Sequence, residues 1–286
     1  MPRIAYVNGH YVPHHRASVH IEDRGYQLAD GVYEVVPVYR GRLVDEGPHL
    51  DRFDYSLREL RIAPPMSRAA LKLVLRELVR RNGLADAALY FQATRGVAPR
   101  DHRFPARSKT AFSATVRRAR PPSTRQIEEG VPVITLPDIR WQRCDIKAIG
   151  LLPNLLGKQA ATEQGAYEGW QLDADGMVTE GTTTNAWIVT KEGVLVTRDA
   201  GHPILNGITR QSVVKLAADT GVAFEQRRFS LAEALQAKEA LITSSSAFVL
   251  SVSSIDGKPV GDGKPGPVAR KLRNLFIAHA MATPPL

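Results

Sequence analysis

The chain has 286 residues, of which 43% are hydrophobic and 23% charged, and a formal net charge of +9. This is the profile of an ordinary globular protein with room for two modest domains or one large one. No run of eighteen or more apolar residues occurs, so no membrane span is expected, and the single cysteine, Cys144, excludes an internal disulfide. The first nine residues read as a strand entering a turn, with no apolar signal segment; with the lone cysteine this leads to the expectation of a cytoplasmic protein.

Residues 3–7 and 10–13 flank Asn8-Gly9, a hairpin signal. The spacing of Leu50, Phe53, Leu57 and Leu60 predicts an amphipathic helix over 48–61. Ser67 caps a second helix, carrying Leu71, Val74, Leu75 and Leu78 and stopping at Asn82-Gly83. Strands are expected over 87–94 and 110–116, separated by a polar loop, Arg95–Ser108. Paired prolines, Pro121 and Pro122, mark 117–124 as a linker. Beyond it come a strand at 131–136, a helix over 154–164, and strands at 168–173, 185–190 and 193–197. A helix opening at Ile208 carries Val213, Val214, Leu216 and Ala217 on its apolar face and ends at Gly221; Ser230 and Glu233 form a capping box. The pattern predicts an α/β protein of α+β type with two lobes, 1–120 and 121–286, each a mixed sheet with helices.

Basic residues gather between Arg95 and Arg120, at Arg227-Arg228 and from Lys264 to Arg273. Aromatic residues are not interleaved with them as a stacking platform requires, and no zinc-finger spacing or RNA-binding signature is present. A basic surface serving small anionic ligands accounts for the charge. A nucleic-acid-binding protein without a cofactor is the alternative from another class. Cys144 near Lys147 reads as a small buried filler, because no His/Asn partner motif accompanies it.

Three features bear on chemistry. Lys147 follows Arg143-Cys144-Asp145-Ile146, and a lysine in a dry pocket can lose its proton and attack a carbonyl. Glu180, in 178–185, can pair with a protonated ring nitrogen. The amides opening the helix at Ile208 and Thr209 would face an anion. An amine, an acid and a phosphate cup are what pyridoxal phosphate asks of an enzyme.

The motifs Tyr6–Gly9, Glu22–Gln27, Asp30–Val36, Arg52 with Ser56, Thr94–His102, Arg143–Lys147, Leu151–Ala160, Thr179–Asn185, Gly207–Arg210 and Asp256–Lys258 follow in order along nearly the whole chain. In this the sequence resembles the class IV, fold-type IV aminotransferases that use pyridoxal 5'-phosphate, and among them the bacterial D-amino acid aminotransferases. The resemblance implies a cofactor between two domains, the C-terminal one carrying Lys147 as the Schiff-base lysine. It implies Glu180 as partner of the pyridine nitrogen, Arg52 with Ile208, Thr209, Ser244 and Ser245 around the phosphate, and Leu205 as a brace for the ring. It further implies that Arg100 and His102, with Tyr33, trap the substrate carboxylate, the loop coming from the neighbouring subunit of a homodimer. No metal is implied.

Two departures from that pattern keep or change chemistry. Threonines occupy 182–184 and serines 244–246, which preserves hydroxyls, whereas Pro37 stands on the strand from Tyr33 where relatives often have a longer polar residue. The implied reaction moves an amino group between a D-amino acid and a 2-oxo acid such as 2-oxoglutarate or pyruvate, with Lys147 shuttling the Cα proton. A branched-chain L-aminotransferase or an aminodeoxychorismate lyase shares the lysine, acid and cup; Arg100 and His102 argue against both.

Overall fold

In the computed structural model, which describes residues 3–286, the chain forms two units. Residues 1 and 2 of the predicted N-terminal lobe lie outside the described residues. Unit 1 comprises the described residues up to Arg120 with Ile146–Gly150 and Ala280–Leu286; unit 2 comprises Pro121–Asp145 and Leu151–His279. The expected division at residue 120 assigned Lys147 to the C-terminal lobe, but the segment that carries it groups with unit 1. The cause is local: Ile146 is buried in the unit 1 core, and Ala148 bridges Val32 in antiparallel fashion.

Unit 1 contains strands β1 (Ile4–Val7) and β2 (His10–Pro13), the short helix α1 (Arg24–Leu28), β3 (Gly31–Tyr39), β4 (Arg42–Leu43), helices α2 (Glu46–Glu59) and α3 (Arg68–Asn82), and strands β5 (Ala87–Thr94) and β6 (Ala111–Arg118). Its six strands run in the order β2-β1-β6-β5-β3-β4. Every pairing among them is antiparallel, so of the two sheets only the second is mixed. Tight hairpins join β1 to β2 and β3 to β4, the 95–110 loop joins β5 to β6, and α2 and α3 carry the chain from β4 to β5. Leu50, Phe53 and Leu57 of α2 and Leu71, Leu75 and Leu78 of α3 share one core with Val36, Leu89, Phe91 and Phe112 of the sheet. The local signals read from sequence act here. Asn8 and Gly9 take φ of 45° and 103° at the hairpin, Ser67 accepts from the Ala70 amide, and Gly83 closes α3 in the left-handed region.

Unit 2 contains α4 (Thr124–Glu129), β7 (Val131–Pro137), α5 (Leu152–Glu163), β8 (Glu168–Leu172), β9 (Val178–Gly181), β10 (Asn185–Val189), β11 (Leu195–Thr197), α6 (Ile208–Asp219), β12 (Phe224–Gln226), α7 (Leu231–Gln236), β13 (Glu239–Ser244), β14 (Phe248–Ile255) and β15 (Lys258–Pro259). Helix α8 spans Pro267–Ala282. The nine-stranded sheet runs β12-β11-β10-β13-β14-β7-β8-β9, with β15 on β14. Its parallel pairs are β11 with β12 and β7 with both β14 and β8.

Two expectations shift. The linker contracts, because β6 continues to Arg118 and Ser123 opens α4 with a complete capping box to Gln126; the Ser-x-x-Gln signature was present in the sequence. At α7, Ser230 accepts from the Glu233 amide, but the Glu233 carboxylate is paired with Arg227, 2.6 Å away. Helix α8 was hidden under the basic run from Lys264 to Arg273; its buried side is Ala269, Leu272, Phe276 and Ala280.

Candidate active site

In unit 1 the half-buried Lys147 sits in a short segment that bridges β3 through Ala148. The Tyr33 amide donates to the Lys147 carbonyl at 3.0 Å, and the Ile149 amide to the Gly31 carbonyl at 3.1 Å. At Lys147 the chain turns tightly, the Ala148 amide donating back to the Ile146 carbonyl at 2.7 Å, while Ile146 is buried in the core. The Lys147 amide donates to the Ser56 hydroxyl on α2 at 3.2 Å, and its Nζ stands 4.3 Å from the centre of the Tyr33 ring. The Tyr33 ring in turn lies 5.7 Å from that of Tyr90. Lys147 and Tyr33 are thus brought together, on backbone that main-chain hydrogen bonds fix.

Arg52, one helical turn before Ser56 on α2, is held by a buried carboxylate. Its Nε and Nη2 donate to the two oxygens of Glu34 at 2.7 and 2.9 Å, and His49 Nδ1 lies 2.7 Å from the same carboxylate. Burial alone would raise the Glu34 carboxyl, but the charges and hydrogen bonds of Arg52 and His49 hold it far below the ordinary carboxylate range. Burial also depresses His49, against the pull of Glu34. Sequence reasoning named Arg52 and missed its holders. The signal was there: Glu34 interrupts Val32, Val36 and Val38 on the buried face of β3, and a charge on such a face needs a partner.

In unit 2, Glu180 lies near the end of β9, 5% exposed. Arg140 Nη1 donates to its Oε1, Asn185 Nδ2 to its Oε2 at 2.9 Å, and the Leu205 amide to Oε1 at 3.1 Å. Arg140 also makes a forked pair with Asp138, at 2.9 and 2.7 Å, and Asp138 accepts from Thr179 at 2.8 Å. Burial works to raise Asp138, and the hydrogen bonds of Arg140 and Thr179 outweigh it, leaving its carboxyl below the ordinary value. Arg140 stays charged: burial disfavours its cation, and Asp138 and Glu180 more than compensate. Neither Arg140 nor Asp138 was singled out from sequence, where a basic residue two positions from an acid looks like any surface pair.

Asn185 also joins the acid to the expected phosphate cup. Its Nδ2 donates to the Leu205 carbonyl at 2.8 Å, and its Oδ1 lies against Gly207, where a Cβ would come within 2.1 Å of it. Only glycine fits there, and Gly207 is the N-cap of α6, with Ile208 and Thr209 as the first helical residues. On the neighbouring strand Asn185 is in register with Thr243, followed by Ser244 and Ser245. The Ser244 hydroxyl accepts from the Ala247 amide at 3.1 Å, fixing the turn. Glu168, fully buried, shapes the threonine loop after Glu180: it accepts from the Thr183 amide and hydroxyl at 3.2 and 2.6 Å and from the Thr182 hydroxyl. Helix-start amides, which carry partial positive charge, and adjacent hydroxyls suit a phosphate-sized anion.

Arg100 and His102 stand exposed on the 95–108 loop of unit 1. Cys144 is half-buried, donates to the Trp141 carbonyl at 3.1 Å, and has its thiol pushed up to about 12 by burial, which suits a filler rather than a nucleophile.

Residues 31–255 match the family model for amino-transferase class IV. A D-alanine aminotransferase of Bacillus licheniformis is 42% identical over 96% of this chain and 98% of its own length. One of Staphylococcus haemolyticus is 37% identical over 95% of each chain. Among solved structures, the branched-chain amino acid aminotransferase of Escherichia coli superposes with a TM-score of 0.91 at 25% identity, covering 97% of this chain and 94% of that one. A T.th. branched-chain amino acid aminotransferase solved with pyridoxamine 5'-phosphate gives 0.90 at 26%, covering 99% and 96%.

Proposed function

The chain belongs to the class IV aminotransferases, and from that premise we propose that it transfers the amino group of a D-amino acid, with D-alanine as the type substrate, to a 2-oxo acid such as 2-oxoglutarate or pyruvate. The observation that carries the proposal is the contrast in likeness. D-alanine aminotransferases are 37–42% identical over nearly the full length, against 25–26% for the branched-chain enzymes whose fold it shares.

Pyridoxal 5'-phosphate is the cofactor of this family's chemistry, and each unit holds donors of the kind it needs. Lys147 offers the amine for its aldehyde, Glu180 a buried anion for its ring nitrogen, and Leu205 an apolar neighbour for the ring. Arg52, the amides of Ile208 and Thr209 and the hydroxyls of Ser244 and Ser245 suit its phosphate. The close approach of Gly207 to Asn185 leaves the mouth of α6 as bare backbone. When bound, the cofactor supplies an electron sink for the charge that develops at the substrate Cα. Lys147 Nζ removes the Cα proton and redelivers it. Glu180, held by the permanent charge of Arg140, would keep a proton on the ring nitrogen. Arg100, His102 and the Tyr33 hydroxyl bind the substrate carboxylate, and the carboxylate's position selects which face of Cα meets Lys147.

A homodimer in which the 95–108 loop serves the neighbouring subunit belongs to the same proposal. Leu152, Leu155 and Leu156 support it: they form a stripe on α5 and are 60–73% exposed, which suits burial by a second copy. Among the described residues no helix is long and apolar enough to cross a membrane, and the lone cysteine supports a cytoplasmic setting. The test is amino transfer from D-alanine to 2-oxoglutarate with chiral analysis of the glutamate formed. D-glutamate is expected; transfer from L-leucine and none from D-alanine would place the enzyme with the branched-chain group instead.

A further inference from the structure

The loop that carries Arg100 and His102 is polar and mostly exposed, yet its path is tied down within unit 1. At its base the Arg24 amide donates to the Gly96 carbonyl at 2.9 Å, and Asp23 bridges Val97. Arg95, 6% exposed, forks onto Asp30 at 2.8 and 3.0 Å and donates to the carbonyls of Leu60 and Arg61 at 2.7 and 2.9 Å. The Phe104 ring from further along the loop covers its guanidinium at 3.6 Å.

The third tie has a different character. Arg24, 3% exposed, donates through Nε to Asp30 at 2.7 Å and through Nη1 to the main-chain carbonyl of Asp101 at 2.6 Å. A buried guanidinium is costly to desolvate, and its neutralising partner is Asp30. Its remaining reach goes to one main-chain carbonyl in the exposed part of the loop, residues 99–103. That carbonyl lies between Arg100 and His102. The Asp101 carboxylate faces the other way along the chain, to the Arg103 amide at 3.0 Å and its guanidinium at 2.7 Å, so the carbonyl alone answers to Arg24.

We propose that Arg24 is a positioning residue for substrate recognition: by holding the Asp101 carbonyl it fixes the attitude of Arg100 and His102 and so sets the affinity for the substrate carboxylate. This rests on the reading of Arg100 and His102 as the carboxylate-binding pair. Arg24 touches neither substrate nor cofactor; it removes conformational freedom from the loop before substrate arrives, and a pre-ordered site binds more tightly than one that must be ordered on binding. Asp30 couples this tie to the second one, because its carboxylate is shared between Arg24 and Arg95.

The test compares Arg24→Gln and Arg24→Lys in the cofactor-loaded enzyme, each alone and in an Arg100→Ala/His102→Ala background. Apparent KM for D-alanine, kcat, the cofactor absorbance band and Tm are read for each. Lysine keeps a charge beside Asp30 but has no fork to reach two acceptors in fixed geometry. Arg24→Lys is therefore expected to keep Tm and the cofactor band while raising KM about tenfold, the factor of one lost charged hydrogen bond. Arg24→Gln should raise KM at least as far and lower Tm as well. In the Arg100→Ala/His102→Ala background Arg24→Lys should change KM by less than about twofold, because a residue acting through the pair has nothing left to act on. A parental KM in Arg24→Lys, or an effect that persists undiminished without the pair, would overturn the inference while leaving the carboxylate trap intact. If Arg100→Ala/His102→Ala itself leaves KM unchanged, the trap reading fails, and the role given to Arg24 fails with it.

Discussion

Each unit contains a buried carboxylate paired with a buried arginine, and the two pairs are arranged in opposite senses. In unit 1 an acid presents a base: Glu34, with His49, grips Arg52, the group suited to a phosphate. In unit 2 a base presents an acid: Arg140, balanced by Asp138, grips Glu180, the group suited to a ring nitrogen. Buried ion pairs add little net stability over apolar packing, but removing one member strands the other. Both pairs therefore read as devices for orientation, in which the residue proposed to meet the cofactor is fixed by a partner of opposite charge.

The comparison breaks most severely at Arg140. Arg140→Met removes the cation that Asp138 and Glu180 share, and two neighbouring carboxylates then compete for protons. A loss of about 3–5 kcal/mol is expected, together with weaker retention of pyridoxal phosphate on dialysis, measured by absorbance. Unchanged retention would show that Glu180 does not depend on Arg140.

Glu34→Gln should come next. It keeps shape and removes the anion that grips Arg52, so Tm should fall by several degrees, at about 2–4 °C per kcal/mol for domains of this size. Cofactor retention should fall as well. A variant with lowered Tm and normal retention would make the triad structural only.

Acid sharpens the contrast. Glu34 and His49 both have folded-state values below their ordinary ones, 4.5 and 6.5, so their contributions are complete above pH 6.5 and lost as pH falls, His49's first. In unit 2 the depressed carboxyls are Asp138, Asp173 and the exposed Glu192, whose contributions are lost only below their ordinary values of 3.8, 3.8 and 4.5. All three tryptophans, Trp141, Trp170 and Trp187, lie in unit 2, and every tyrosine except Tyr167 lies in unit 1. On acidification from about pH 7.5 to 5, the near-ultraviolet tyrosine signal should change before tryptophan fluorescence does. The reverse order would contradict the assignment.

The smallest effect is expected at Thr183. Thr183→Ala removes one hydroxyl from buried Glu168, which keeps the amides of Thr183 and Gly169 and the hydroxyl of Thr182. A cost of about 1 kcal/mol follows, read by thermal unfolding, with D-alanine turnover little changed.

What could be read from sequence divides along the same line. Asn8-Gly9, the caps at Ser67 and Gly83, and the Gly207 start of α6 are local signals, and they were legible because turn and cap chemistry is decided within a few residues. Glu34, Arg140 and Glu168 were not, because each acquires its meaning from a partner brought in by the fold: Arg140 meets Glu180 forty positions away, and Glu34 meets Arg52 from strand to helix. The grouping of Lys147 with unit 1 was not legible for the same reason, since its contacts with β3 and α2 and the burial of Ile146 come from residues far away in sequence. Lys147, Glu180 and the amides of Ile208 and Thr209 were legible as an amine, an acid and an anion site, and the family resemblance added Arg52, Ser244, Ser245 and Leu205; the roles of all of them are proposals.

The most direct test of the account is the absorbance spectrum of the pyridoxal-phosphate-loaded protein before and after D-alanine and, separately, L-leucine, with Lys147→Ala alongside. The account predicts a cofactor band that D-alanine bleaches and L-leucine leaves, and no such band in Lys147→Ala. Bleaching by L-leucine alone, or a band that survives in Lys147→Ala, would contradict it.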